Sequence, residues 1–169
     1  GPGNCLIDEW VRKNSKKKFD ENGKIATSGK VVDIIINQAI DNFSFDNYEK
    51  SLDTKDFDLN FVKGLTFEDG CSTLTKFSAY LIAEGIFKLN KMNKINSVLN
   101  LICGGGRKNN TLLKYINDYL KNRNSELILI DDYNFDGDFI ESQAFGYLSI
   151  RSYLNLPISF PTTTRCESP

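Results

Sequence analysis

Apolar positions recur at helical spacing in three stretches of the first ninety residues and then give way to short continuous runs. Behind Asn4, a residue type that caps helices, Leu6, Ile7, Trp10 and Val11 share one face, which predicts a helix ending near Asn14. The run Lys16-Lys17-Lys18 reads as a solvated loop, and Asp20-Glu21-Asn22-Gly23 as a turn. Val32, Ile35, Ile36, Ala39, Ile40 and Phe43 predict a second amphipathic helix. Residues 44–69 carry no sustained period and read as an ordered excursion with short turns. A long third helix is expected from Ser72 to Leu89, with Leu74, Phe77, Leu81, Ile82 and Ile86 inward and Asp69-Gly70 as a break before it.

The pattern then changes period. Ser97 to Cys103 is a short apolar run that ends in Gly104-Gly105-Gly106, as a buried strand would. Leu112, Leu113, Ile116 and Leu120 mark a helix, and Glu126 to Ile130 a second strand. Strand, helix and strand over residues 97–130 make a βαβ unit, so the fold class is α/β and helix-rich, with a parallel pair of strands. A last helix is expected from Asp138 to Leu154, where Asp138-x-x-Glu141 has the spacing of a capping box. Pro157 and Pro161 should end regular structure.

Composition narrows the chemistry. The 169 residues suit one ordinary domain, able to bury roughly 70% of the surface of the unfolded chain without a disulfide or metal staple. With 21 basic and 22 acidic residues the formal charge is −1, which argues against nucleic acid or a membrane surface as partner. No stretch is long and apolar enough to span a bilayer. There is no histidine, so His-based triads, His general bases and His metal ligands are excluded together. Cys5, Cys71, Cys103 and Cys166 are too far apart for paired metal knuckles, and reduced thiols in a cytoplasmic protein are expected.

The glycine turn is the strongest chemical signal. Three glycines between a strand's carboxyl end and a helix let a ligand approach bare backbone and the helix N-terminus. A nucleotide suits such a place. The spacing is not that of a dinucleotide fingerprint, since Asn109 stands where the third glycine belongs, and no Gly-Lys-Ser/Thr follows as in a P-loop. Asp131 or Asp132, ending the second strand, could still contact a ribose, so a dinucleotide binder stays open, as does a turn with no ligand.

Leu101-Ile-Cys-Gly-Gly-Gly-Arg-Lys-Asn-Asn-Thr-Leu-Leu113 resembles the adenosine motif of the actin-like sugar kinases, in the form found in the anhydro-N-acetylmuramic acid kinase family. Further blocks resemble that family in collinear order. They are Gly1-Pro-Gly-Asn4 with the helix carrying Asp8 and Trp10, Asp20 to Gly29, Lys50 to Phe57, Asp69 to Phe77, Glu141 to Leu148, and Pro161 to Thr164.

The resemblance implies the two-lobed actin-like (RNase H-like) ATPase fold, with residues 1–169 as a single C-terminal nucleotide-binding lobe. It implies an ATP- and Mg²⁺-dependent cytoplasmic enzyme of cell-wall recycling, a homodimer when complete. That enzyme opens the anhydro ring of 1,6-anhydro-N-acetylmuramic acid with water and phosphorylates O6. By the same resemblance, Gly104, Gly105, Gly106 and Asn109 would bind ATP, Gly1, Gly3 and Asn4 would lie near the phosphates and cleft, and Glu141 would contact the sugar. Capping is the competing role for Glu141.

The general-base aspartate of the family would lie just upstream of Gly1. The substrate lobe and the first strands of this lobe would likewise be missing. On this reading no catalytic residue and no metal ligand falls within the chain, which should be inactive alone and expose a sheet edge and one apolar face. Arg107-Lys108 replaces a small residue and histidine of the commonest glycine block, and Arg165 breaks a Thr-Thr-Gly near the end. Another actin-like sugar kinase or ATPase, or a non-catalytic nucleotide-binding module, are the alternatives.

Overall fold

The computed structural model describes residues 3–43, 54–95, 98–121 and 123–164. Its helices are α1 (Cys5–Asn14), α2 (Lys24–Ser28), α3 (Asp33–Asp41), α4 (Phe67–Met92), α5 (Asn110–Leu120), α6 (Ile140–Tyr153) and α7 (Pro161–Thr164). Two strands, β1 (Val98–Ile102) and β2 (Ser125–Leu129), pair in parallel with Leu101 opposite Ile128. With α5 between them they form the expected βαβ unit, so the helix-rich α/β class holds.

α4 is the axis of the molecule. One side carries Cys71, Leu74, Phe77 and Leu81 into a core with Leu6, Ile7, Trp10 and Val11 of α1, Ile25 and Ala26 of α2, and Ile36 of α3. Its other side brings Ala79 and Ala83 against Leu112, Ile116 and Leu120 of α5. The small alanines let the two helices approach closely, and α5 thereby hangs the strand pair on α4.

α4 begins five residues earlier than its apolar stripe suggests, and Asp69-Gly70 is not a break. Thr66 is the N-cap, its side chain accepting from the Asp69 amide at 3.1 Å, while Asp69 Oδ1 accepts from the Lys30 amide at 2.7 Å. Gly70 lies inside the helix because Trp10 packs on it; a Cβ there would stand 2.4 Å from the indole. The same indole donates to the Phe67 carbonyl at 2.9 Å. A glycine read as punctuation is thus a close approach between helices.

Three other ends differ from expectation. Asn4 occupies the N-cap position of α1 but makes no side-chain cap bond. α6 starts at Ile140, with Phe139 at its N-cap and no side-chain cap, so the Asp138–Glu141 capping box does not form. Pro161 opens a short helical turn instead of ending structure, a position where its missing N–H costs nothing. The excursion holds short turns at Thr54–Asp56 and Asn60–Val62; the expectation for residues 44–53 lies outside the described residues.

The strand read as buried is covered on one face only. Leu99 and Leu101 keep 45% and 48% of their surface exposed, because α5 packs on a two-stranded sheet from a single side. An apolar sheet face is therefore open among the described residues.

Candidate functional site

The glycine turn leaves β1 and tightens into a short 3₁₀ turn, Gly105–Lys108, before α5. Gly104 has φ 74° and ψ −177°, a region that side chains exclude. Asn109 then caps α5, its Oδ1 accepting from the Leu112 amide at 3.0 Å. Being 2% exposed, Asn109 is a structural cap as well as a wall of the site.

Beneath this turn lies a cavity of about 390 Å³. Gly105, Lys108 and Asn109 form one wall, Asn4 and Asp8 of the α1 region a second, and Phe19, Asp20, Glu21 and Asn22 a third. Asn109 Nδ2 donates to Asn4 Oδ1 at 3.3 Å, which is where the side chain of Asn4 goes in place of capping α1. Two segments near the start of the chain thus meet the glycine turn, far later in the sequence, at one opening. It is mostly apolar in surface with polar groups on its walls, and of a size suited to a small-molecule ligand.

The third wall is rigid. Asp20 is buried and accepts from the Ile25 and Ala26 amides at 2.7 and 3.0 Å, capping α2 with both oxygens. Thr111 Oγ1 donates to the Gly23 carbonyl at 2.8 Å and pairs with Thr27 Oγ1 at 2.5 Å, tying α2 to the first turn of α5. Burial pushes the Asp8 carboxyl above its ordinary value; Arg12 opposes this and Asp20 adds to it.

Of the expected ATP-binding residues, Gly105 and Asn109 line the cavity; Gly104 and Gly106 flank it in the same turn. Asn4 reaches it, Gly3 precedes it in the chain, and Gly1 lies outside the described residues. Glu141 is exposed on the first turn of α6 and is not on the cavity wall. Phe19, Glu21, Asn22 and Lys108 were not legible as wall residues, since the 19–23 segment reads as an ordinary turn. Asp131, a candidate ribose contact, has both oxygens on the Arg107 guanidinium at 2.7 and 3.1 Å. Its carboxylate is thus already engaged within the loop.

Among the described residues no helix is long and apolar enough to cross a membrane, and no group of three or more acidic, cysteine or histidine side chains is arranged to hold a metal. Cys71 is buried and Cys103 exposed, both as free thiols.

By architecture the chain is a helix-rich α/β protein whose first strand runs into a glycine turn over a cavity. Comparison with known proteins is more specific. The family model for anhydro-N-acetylmuramic acid kinase matches residues 1–169, and the chain belongs to that family. It is 54% identical over 171 residues to the anhydro-N-acetylmuramic acid kinase of Pelagibacter ubique, with all of this chain and 45% of that protein covered. The enzymes of the same name from Zymomonas mobilis and Rhizobium johnstonii are 37% and 35% identical, again over all of this chain and 45% of each. The chain therefore spans about half the length of the curated relatives it matches. Its architecture is consistent with part of an actin-like ATPase fold.

Proposed function

We propose that this chain supplies the ATP-binding site of an anhydro-sugar kinase, a single nucleotide-binding lobe acting in peptidoglycan recycling. The reaction is phosphorylation of 1,6-anhydro-N-acetylmuramic acid from ATP with hydrolytic opening of the anhydro ring, giving N-acetylmuramate 6-phosphate. The observation that carries this reading is the meeting of Gly105, Asn109 and Asn4 at one cavity, in a chain matched along its whole length by the family model.

The parts have distinct tasks. Gly105 is exposed, and a Cβ there would meet no atom within 4 Å, so the turn leaves bare backbone for the adenosine to approach. Asn109 and Asn4 hold the turn to the start of α1. Lys108 is the cation on the wall and is placed to attract phosphate. Glu141 stands on α6 as the sugar contact; with the capping box unformed, its carboxylate is not spent on its own helix.

Mg²⁺ fits this wall as an ion brought in with the nucleotide. Such an ion keeps waters and phosphate oxygens and needs only one or two carboxylates; with Asp20 committed to α2, Asp8 and Glu21 are the wall carboxylates that could hold it. When bound it would neutralise charge on the phosphates.

A polypeptide of the full length of the curated relatives that contains this sequence, given Mg-ATP and 1,6-anhydro-N-acetylmuramic acid, is expected to release ADP and a sugar phosphate in equal amounts, and residues 1–169 alone are expected to release neither. ADP formation with no dependence on the sugar would replace the kinase with an ATPase. Nucleotide binding with no turnover of either kind, by a folded protein, would leave a binding module.

A further inference from the structure

Beneath the glycine turn lies a single buried guanidinium. Arg107 is 8% exposed, yet three aspartates from the loop after β2 surround it. Nε and NH2 form the fork on Asp131, NH1 donates to Asp138 Oδ1 at 2.6 Å, and Asp136 stands 3.8 Å away. Planar geometry and several fixed donors let arginine answer two carboxylates and a carbonyl at once, which lysine cannot do.

Arg107 also fixes the turn itself. The Gly104 carbonyl accepts from NH1 at 3.1 Å and from the Arg107 amide at 3.3 Å, while the Gly104 N–H donates to the Gly137 carbonyl at 2.9 Å. Both ends of this glycine are therefore pinned in the conformation that only glycine adopts. The loop is fitted to the guanidinium in return, since a Cβ on Gly137 would stand 2.4 Å from Nε. Asp138 is shared: its second oxygen accepts from Lys108 of the cavity wall at 2.6 Å. Helix α6 begins two residues later and carries Glu141 in its first turn.

We propose that Arg107 is a positioning residue that sets the shape of the glycine turn and, through Asp138, couples occupancy of the nucleotide cavity to the start of α6. This rests on the nucleotide reading above. The differential contact such coupling requires is supplied by Lys108, which can face either Asp138 or an anionic ligand in the cavity. Lys108 lines the cavity and also bonds Asp138.

Amide hydrogen exchange and ATP titration, run together on the wild type, Arg107→Lys and Asp138→Asn, test this. In Arg107→Lys the amides of 104–109 and of 137–143 should both exchange faster, with those of 71–83 in α4 unchanged. ATP affinity should fall by roughly tenfold, within the range expected when a coupled element is disturbed. In the wild type, ATP should alter exchange at 137–143 as well as at 105–109; in Asp138→Asn the change at 137–143 should vanish and that at 105–109 remain. Faster exchange at the turn alone, or an ATP effect at 137–143 that survives Asp138→Asn, overturns the coupling. If the wild type shows no ATP effect anywhere, the nucleotide reading fails, and with it the coupling; unchanged exchange at 104–109 in Arg107→Lys would then reject the clamp as well.

Discussion

Around α4, Leu6, Ile7, Val11, Val62 and Leu74 have almost no exposed surface, whereas Phe145, Tyr147, Ile150 and Tyr153 of α6 each keep more than half of theirs. The two regions use similar residue types. They differ in neighbours: α4 is packed by α1, α2 and α3 on one side and α5 on the other, while none of the described residues of α6 is buried. Apolar content therefore does not by itself tell a core helix from one with an open face. The candidate site lies where these regions join, with its walls built from the closed part and its clamp reaching into the open one.

The sharpest way to break this comparison is a pair of truncations. Leu74→Ala, at a fully buried position, should cost about 2–5 kcal/mol in denaturant unfolding. Ile150→Ala on α6 should change stability by no more than about 0.5 kcal/mol. Equal costs would mean that α6 is packed in solution and that the contrast is false.

Reactivity of the cysteines gives a second contrast. Cys103 is exposed at the end of β1, while Cys71 is buried beside Asp20, and burial with that neighbouring carboxylate pushes its thiol up. Under native conditions an alkylating reagent should modify Cys103 first and Cys71 only on unfolding. Comparable rates at the two would show that the core around α4 opens readily.

The smallest effect concerns acid. Hydrogen bonds from Arg107 and then Lys108 hold the Asp138 carboxyl down at about 2. A depressed carboxylate contributes stability that is complete above its unfolded value of about 4 and is lost as pH falls through the folded one. The clamp should therefore persist at pH 4 and release near pH 2, read from the carboxyl carbon resonance of Asp138. A midpoint near 4 would show that the two cations do not hold it.

The helices, the parallel strand pair and the glycine turn were legible because each is written in local periodicity and in residues that punctuate it. The junctions were not. Gly70 reads as a break until Trp10, sixty residues earlier, is seen lying on it, and Asn4 reads as a cap until Asn109 claims its side chain. The Asp138–Glu141 spacing suggests a capping box, yet a buried arginine thirty-one residues upstream takes the aspartate. Gly105, Asn109 and Asn4 were expected to serve one ligand through resemblance, and the structure brings them to one cavity. The 19–23 wall reads locally as turn chemistry, and although Asp20 to Gly29 resembles a family block, its place on the cavity comes only from the packing of α2 on α4 and α5.

That the cavity beneath the glycine turn is an ATP site is tested most directly by calorimetric titration of ATP into the wild type and Gly105→Val, each with its melting curve. The added side chain meets no protein atom at its Cβ and projects at the cavity wall, so the fold should be unaffected. The expected result is binding by the wild type, loss of at least about tenfold in affinity for Gly105→Val, and matching melts, since a filled pocket excludes its ligand. Equal ATP affinity in the two folded proteins would place the nucleotide elsewhere and contradict the account.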